Sequence, residues 1–152
     1  MKNLFISGIT GKVGKLLSSY ALESNHFKLV GGSCSPENNF FKKDVGTLLE
    51  IDETGIQISE KMSEDLSVDI IIDFSSPKSS MKILQLAKRK EIPILIGTTG
   101  FSEDDFKEIE IASTQIPVLF APNTSSGIAM LKNILNKSKN LFSKDHEFSI
   151  SE

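Results

Sequence analysis

The sequence predicts an α/β protein whose core is a doubly wound, mostly parallel β-sheet. Apolar segments of strand length recur along the chain, and segments with the apolar spacing of a helix follow them. Residues 68–74 are mostly apolar in an unbroken run, which is typical of a strand buried on both faces of a parallel sheet. The 152 residues, 39% of them hydrophobic, are enough to form one sizeable core.

The first predicted strand, over residues 4–6, leads directly into three glycines at regular spacing, and a helix is predicted over residues 12–24. The first amides of such a helix are unpaired and carry partial positive charge, which suits a pyrophosphate. Gly8 would form the turn, Gly11 would permit close approach of the ligand, and Gly14 would allow the helix to contact the strand. The pattern predicts a Rossmann-type dinucleotide site, and the alternative is a turn that needs glycine only for its backbone.

The second strand is predicted over residues 27–32. In a dinucleotide fold an acidic residue at the end of this strand binds the ribose 2′-hydroxyl, but no acid lies directly there. Glu37 follows a proline that could turn the chain away, and Ser35 could accept either a 2′-hydroxyl or a 2′-phosphate. Lys42 and Lys43 could reach a phosphate or could simply be solvated. The choice between NADH and NADPH therefore stays open.

A short edge strand fits residues 55–58, and longer strands are predicted over residues 68–74, 92–96 and 116–120, each followed by a helix. Asp73 at a strand's carboxyl end is a candidate site residue, although a structural role, binding backbone amides of the next turn, is slightly favoured. Phe74 could lie along a cofactor or fill the core.

Two further strands end in loops rich in small, hydroxylated or amide residues. Residues 97–101 read Gly-Thr-Thr-Gly-Phe, and residues 121–127 read Ala-Pro-Asn-Thr-Ser-Ser-Gly. Exposed amides and two hydroxyls in the first loop could bind carboxylate, amide or phosphate oxygens. Because such loops recur along one edge of the predicted sheet, they strengthen the prediction of a ligand site.

Composition narrows the classes of function. The net charge of −3 disfavours nucleic acid and anionic membranes as partners, and we expect a cytoplasmic protein without a membrane segment. Cys34 is the only cysteine, which excludes an internal disulfide and a cysteine-rich metal cluster, and we interpret it as a small residue beside the ligand crevice. His26 and His146 are isolated, so no metal site is predicted.

Four segments, in this order and spacing, resemble the 4-hydroxy-tetrahydrodipicolinate reductases, formerly dihydrodipicolinate reductases, of bacterial lysine and diaminopimelate synthesis. These segments are residues 8–14, 73–77, 97–101 and 121–127. The resemblance implies an enzyme that transfers a hydride from NADH or NADPH to a cyclic unsaturated dicarboxylate. The cofactor carries the difficult chemistry in such enzymes, and the protein orients it and supplies a proton.

The resemblance also implies roles for residues. The glycine turn would hold the pyrophosphate, the loop at residues 97–99 would contact the nicotinamide and, through Thr99, the substrate, and residues 121–124 would lie against the nicotinamide ribose and amide. With Ser35 and Phe74, the predicted cofactor-binding residues are Gly8, Ile9, Thr10, Gly11, Lys12, Val13, Ser35, Phe74, Gly97, Thr98, Thr99, Ala121, Pro122, Asn123 and Thr124.

The chain departs from the family in three places. The family usually has an aromatic residue at the position of Thr124 and often an acid near Ser35. In the family, a strand like residues 146–152 leads into a second domain with a His-His…Lys…Ser-Gly-Thr segment, which supplies the proton donor and builds a homotetramer. We therefore expect a dinucleotide-binding domain over residues 1–145, incomplete at its C-terminal end, with the catalytic residues beyond Glu152.

We expect this truncated chain alone to bind the cofactor weakly and to be inactive. A stand-alone nucleotide-binding domain is the less favoured explanation of its length. A second hypothesis is a non-catalytic module that binds coenzyme A or a dinucleotide, because the nucleotide domain of acyl-CoA ligases has a turn similar to residues 8–14. A redox-sensing regulator ranks last, since no basic helix-turn-helix is evident.

Overall fold

The structure, a computed structural model, describes residues 1–138. The elements in chain order are β1 (Lys2–Ser7), α1 (Lys12–Glu23), β2 (Phe27–Ser33), α2 (Val45–Leu49), β3 (Ile58–Ser59), β4 (Ile70–Asp73), α3 (Pro77–Arg89), β5 (Ile94–Ile96), α4 (Glu103–Ser113), β6 (Val118–Phe120) and α5 (Ser126–Ser138). The strand predicted over residues 146–152 lies outside the described residues.

One six-stranded sheet has the order β3-β2-β1-β4-β5-β6, and every neighbouring pair of strands is parallel. The chain moves outward from β1 to β3 and then returns to place β4 on the other side of β1. This is the doubly wound arrangement, so the predicted Rossmann-type fold class is confirmed.

The side chains of β1 explain why the hydrophobic core has two clusters, one on each face of the sheet. Successive side chains of a strand point to opposite faces of the sheet. Leu4 and Ile6 pack in a cluster with α1, α2 and β2, whereas Phe5 packs in a second cluster with α3 and α4. Both faces of the sheet are therefore covered, as a parallel sheet requires.

The segment between β2 and β4 differs from the prediction. The edge strand is Ile58–Ser59 rather than residues 55–58, because Gly55 adopts φ +74° and the Ile56 carbonyl accepts a hydrogen bond from Val45 at 2.9 Å instead of pairing with β2. The sequence analysis also missed α2, which is short and is capped by the Asp44 carboxylate.

Met1–Pro122 forms one compact unit, and the described residues from Asn123 onward belong to a second. The sheet and four helices belong to the first unit, and α5 belongs to the second. The predicted boundary at residue 145 falls outside the described residues and stays a prediction.

Candidate functional site

The strand order reverses at β1, which lies between β2 and β4. In open α/β sheets, ligands bind at such a point, in the crevice outside the carboxyl ends of the strands. A groove of about 990 Å³ lies here, and its walls are the glycine turn, the segments after β2 and β3, and α3. We call it the switch-point groove.

The glycine turn joins β1 to α1 and leaves the start of α1 uncapped. The amides of Gly8 and Ile9 both donate to the Ser33 carbonyl, at 2.9 and 3.1 Å, which fixes the turn against β2. Gly11 is the N-cap without a side-chain bond, and the first turn of α1 contains no acidic residue. Within residues 1–138, no acceptor is found for the amides of Lys12 and Val13, so they remain able to bind an anion.

The three glycines are required for different reasons. Gly8 has φ +80°, and a β-carbon there would lie 2.9 Å from the α-carbon of Ser75. A β-carbon on Gly14 would lie 2.7 Å from the α-carbon of Ile9. At Gly11 the nearest atom would be the Gly8 carbonyl oxygen at 3.3 Å, so the fold itself has nearly enough room for a methyl group there.

The neighbouring predicted residues are not equally available. The Ile9 side chain is fully buried, so only its backbone could contact a ligand. Lys12 and Val13 are exposed at the start of α1, and the Thr10 hydroxyl accepts a hydrogen bond from the side-chain amide of Asn38 at 3.2 Å. The Asn38 bond connects the glycine turn to the segment after β2.

The segment after β2 forms a turn that returns Glu37 to the switch-point groove. The amide of Asn38 donates to the Ser35 carbonyl at 3.0 Å, and the Ser35 hydroxyl donates to the Glu37 carboxylate. This bond and the backbone amide of Glu37 lower the pKa of its carboxyl group. Glu37 lines the groove, so Pro36 does not turn the chain away from it, and the Asn38–Ser35 bond closes the turn.

Cys34 and the lysine pair differ in their position relative to this groove. Cys34 lines the groove, and burial raises the pKa of its thiol, which disfavours the reactive thiolate. The ammonium groups of Lys42 and Lys43 lie 5.4 Å and 5.5 Å from the ring centres of Phe41 and Phe40, outside the groove lining.

Asp73 is a buried structural anchor at the end of β4. Its carboxylate accepts hydrogen bonds from the hydroxyls of Ser75 at 2.6 Å, Thr98 at 2.8 Å and Ser80. Thr98 also accepts from the Ser75 amide at 2.9 Å. The expected structural role is therefore found, but with hydroxyl donors rather than backbone amides. These bonds hold the loops after β4 and β5 together.

Phe74 and Gly97 lie in contact. A β-carbon on Gly97 would lie only 2.7 Å from the nearer ortho carbon of the Phe74 ring, and the Gly97 amide donates to the Asp73 carbonyl at 2.8 Å. Phe74 also lines the switch-point groove. The structure thus brings together the predicted residues of the glycine turn, the β4 loop and the β5 loop.

The remaining predicted residues lie after β5 and β6. Thr99 is exposed, and the Ala121 amide donates to the Ile96 carbonyl at 2.8 Å, extending the β5–β6 pairing. Pro122 closes the first compact unit, and Asn123 and Thr124 begin the second. In that unit the Asn123 side-chain oxygen accepts from the Ser125 amide at 2.9 Å.

Sequence reasoning missed the far wall of the groove. Lys78 and Lys82 of α3 lie there with the segment that contains Lys61 and Glu64. Their spacing of four residues places Lys78 and Lys82 on one helix face, but only the fold shows that this face borders the groove.

Among residues 1–138, no group of three or more His, Cys, Asp or Glu side chains could hold a metal ion. No helix in the described part of the chain is long and apolar enough to span a membrane.

Comparison with known proteins identifies relatives for nearly the whole chain. The family described as "Dihydrodipicolinate reductase, N-terminus" matches residues 2–124. A 4-hydroxy-tetrahydrodipicolinate reductase of Buchnera aphidicola subsp. Baizongia pistaciae is 30% identical over 99% of this chain and 56% of its own length. The same enzyme of Buchnera aphidicola subsp. Cinara cedri is 34% identical over 100% of this chain and 58% of its own length.

A solved structure is similar in fold. The dipicolinate-bound dihydrodipicolinate reductase of Paenisporosarcina sp. TG-14 superimposes with a TM-score of 0.71 at 16% identity, over 93% of this chain and 55% of that one. The chain therefore spans little more than half the length of these three proteins.

Proposed function

Because this chain belongs to the dihydrodipicolinate reductase family, we propose that it forms the dinucleotide-binding part of a cytoplasmic 4-hydroxy-tetrahydrodipicolinate reductase. The observation that carries the proposal is the uncapped start of α1, which borders the switch-point groove with unpaired amides. A pyrophosphate would complete this helix terminus.

The residues present fit NADH or NADPH. The glycine turn leaves space above Gly11 for a pyrophosphate, the segment around Ser35 would contact the adenosine ribose, and Phe74 borders the same groove. The loops at residues 97–99 and 121–122, both in the first compact unit, would receive the nicotinamide. When bound, the cofactor would supply a hydride to a cyclic unsaturated dicarboxylate.

The protein's own contribution is to hold these groups in place. The bonds from Ser75 and Thr98 to Asp73 fix the β5 loop relative to the β4 loop, which would orient the nicotinamide. The Thr99 side chain is exposed, and by resemblance to the family we assign it to the substrate. The curated relatives have a further part that this chain does not span. We propose that this further part donates the proton, binds the substrate carboxylates and forms the tetramer.

Titration with NADH and NADPH tests the proposal. The chain contains no tryptophan, so nicotinamide fluorescence can be followed without tryptophan background. We expect saturable binding and an affinity at least ~10-fold lower in Gly11→Ala, because its methyl group occupies the pyrophosphate position. The thermal midpoint of the variant should stay close to that of the wild type, since Gly11 has nearly enough room for the methyl group.

Coenzyme A is the competing ligand. Binding of coenzyme A with higher affinity than either nicotinamide cofactor would favour the non-catalytic module and contradict the proposal. If this chain alone reduced the substrate in the steady state, the proton donor could not lie only in the part of the relatives that this chain does not span.

A further inference from the structure

The loop that follows β5, residues 97–101, is held near both ends and exposed at its centre. Near its start the Thr98 hydroxyl donates to the buried Asp73 carboxylate at 2.8 Å. At its end the half-buried Phe101 ring packs against the core cluster that includes residues of β4, α3 and β5. Thr99 and Gly100 lie between these two anchors and are exposed. The position of this exposed centre therefore depends on both anchors.

Three phenylalanine rings form the anchor at the end of the loop, and we call Phe101, Phe106 and Phe120 the aromatic cluster. The ring centres of Phe101 and Phe106 lie 6.0 Å apart, those of Phe101 and Phe120 lie 5.9 Å apart, and those of Phe106 and Phe120 lie 5.5 Å apart. Each pair is arranged edge to face. In this arrangement the positive edge of one ring meets the negative face of the next, which attracts beyond the burial of apolar area.

The contact between Phe101 and Phe106 is a hydrophobic staple of α4. Phe101 precedes the N-cap residue Ser102, and Phe106 is the fourth residue of the helix. Such a pair fixes the angle at which the chain enters the helix. The staple therefore fixes the direction of the β5 loop where it reaches α4, but it does not account for the contact of Phe106 with Phe120, which belongs to β6.

The third ring connects the β5 loop to the end of β6. Phe120 is the last residue of β6, and Ala121 and Pro122 follow it directly. The Ala121 amide donates to the Ile96 carbonyl at 2.8 Å, so the two strands stay paired up to the point where their loops begin. The aromatic cluster thus joins the two segments that lead to the proposed nicotinamide site.

Burial in the core does not explain Phe106. Phe101 and Phe120 pack against the core, whereas Phe106 is 46% exposed and lies outside both core clusters of the described residues. Its ring packs on Phe101 and Phe120 together. Replacing Phe106 should therefore alter the contact between the two loops more than it alters the core.

We infer that Phe106 is a positioning residue for the nicotinamide, because its ring holds the β5 loop and the end of β6 at the separation that would receive the nicotinamide ring. The inference rests on the proposed dinucleotide site. Phe106 does not line the switch-point groove, so it acts through the two loops rather than by contact with the adenosine half of the cofactor. Loss of its ring should weaken binding of the nicotinamide half alone.

The test measures dissociation constants of the 152-residue chain for NADH by nicotinamide fluorescence, and for ADP-ribose, which lacks the nicotinamide, by calorimetry. Phe106→Ala removes the ring, Phe106→Leu keeps an apolar side chain without a ring, and Phe106→Tyr keeps the ring at an exposed position. Ile111→Ala is the matched control, because Ile111 lies on the same helix, is 48% exposed and is not part of the aromatic cluster. Ser102→Ala weakens the start of α4 without removing a ring. Thermal midpoints verify that each variant is folded.

We expect Phe106→Ala to weaken NADH binding about fivefold and Phe106→Leu about twofold, because edge-to-face contacts with two rings are lost. ADP-ribose binding should be unchanged in both variants. Phe106→Tyr, Ile111→Ala and Ser102→Ala should bind both ligands as the wild type does.

Three results would overturn the inference while leaving the dinucleotide site intact. They are an unchanged affinity of Phe106→Ala for NADH, an equal loss of affinity for NADH and ADP-ribose, and a loss of NADH affinity in Phe106→Tyr or Ile111→Ala as large as that in Phe106→Ala. If the wild type binds neither NADH nor ADP-ribose, the proposed function fails together with the inference.

Discussion

Two helices that follow strands of the same sheet begin in opposite ways. α4 has a complete capping box, in which Ser102 accepts from the Asp105 amide at 3.2 Å and the Asp105 carboxylate accepts from the Ser102 amide at 2.9 Å. Its first turn also contains three acidic residues. α1 has neither a side-chain cap nor an acidic residue in its first turn.

The protein's own side chains bind the free amides at the start of α4, whereas at the start of α1 these amides can bind a ligand. The capping bonds and the acidic side chains of α4 already compensate its unpaired amides and positive end. At the start of α1 no side chain caps the amides or compensates the positive end, and the switch-point groove lies beside it. A helix terminus is therefore a candidate anion site only where the sequence does not cap it.

The largest expected effect on stability comes from replacing a glycine at the start of α1 with alanine. Gly14→Ala should destabilise the protein by about 3 kcal/mol, because the methyl group would overlap backbone atoms of the turn. Gly11→Ala should cost less than about 1 kcal/mol, because its site has nearly enough room. Urea unfolding of both variants measures this, and equal losses of stability would show that Gly11 also serves the fold alone.

An acidic residue added to the first turn of α1 should compensate the positive end of this helix, as the acidic residues of α4 do. Lys12→Glu places a carboxylate in the first turn, which should stabilise the helix by about 0.5 kcal/mol while weakening NADH binding by ~10-fold. Lys28→Glu, an exposed site on β2, is the charge-matched control. Parallel titration and thermal unfolding check both effects, and undiminished NADH binding by Lys12→Glu would place the pyrophosphate elsewhere.

Removing the cap of α4 should affect stability without affecting the ligand. Ser102→Ala deletes the hydroxyl that caps α4 and should cost about 1 kcal/mol. NADH affinity should be unchanged, because Ser102 does not line the switch-point groove. A weaker affinity for NADH in this variant would mean that the start of α4 also belongs to the ligand site.

The smallest effect is a dependence of stability on pH. Hydrogen bonds from Ser102 lower the pKa of Asp105, so this carboxylate stabilises the folded state above its unfolded pKa, and that contribution is lost as the pH falls through the folded pKa. Thermal midpoints should therefore decrease below about pH 4. Asp105→Asn should reduce this dependence more than Asp104→Asn, a neighbouring charge outside the capping box, and identical pH profiles would contradict the assignment.

Some elements of the fold could be predicted because residues close in sequence determine them. The strand, glycine turn and first helix follow from local apolar spacing and glycine, and the capping box follows from Ser102 and Asp105 three residues apart. The helix α2 was missed because five residues give no periodicity, and its stability comes from Asp44 and from burial of Leu48.

Contacts between distant segments were beyond prediction. Asp73 binds Thr98, which lies 25 residues later, and no local pattern in either segment specifies that bond. Likewise the Asn38 side-chain amide donates to the hydroxyl of Thr10, which lies 28 residues earlier, and this bond holds the segment after β2 beside the glycine turn.

By itself the sequence determined the principal strands and helices, the doubly wound fold class and the position of the glycine turn, because each depends on periodicity and on backbone conformations that neighbouring residues impose. Only the tertiary structure decided which polar groups remain free. Parallel pairing brings the carboxyl ends of β1, β2, β4 and β5 to one edge, where Asp73 uses the hydroxyls of Ser75, Ser80 and Thr98. The amides at the start of α1 remain available to a ligand, since no described side chain caps them.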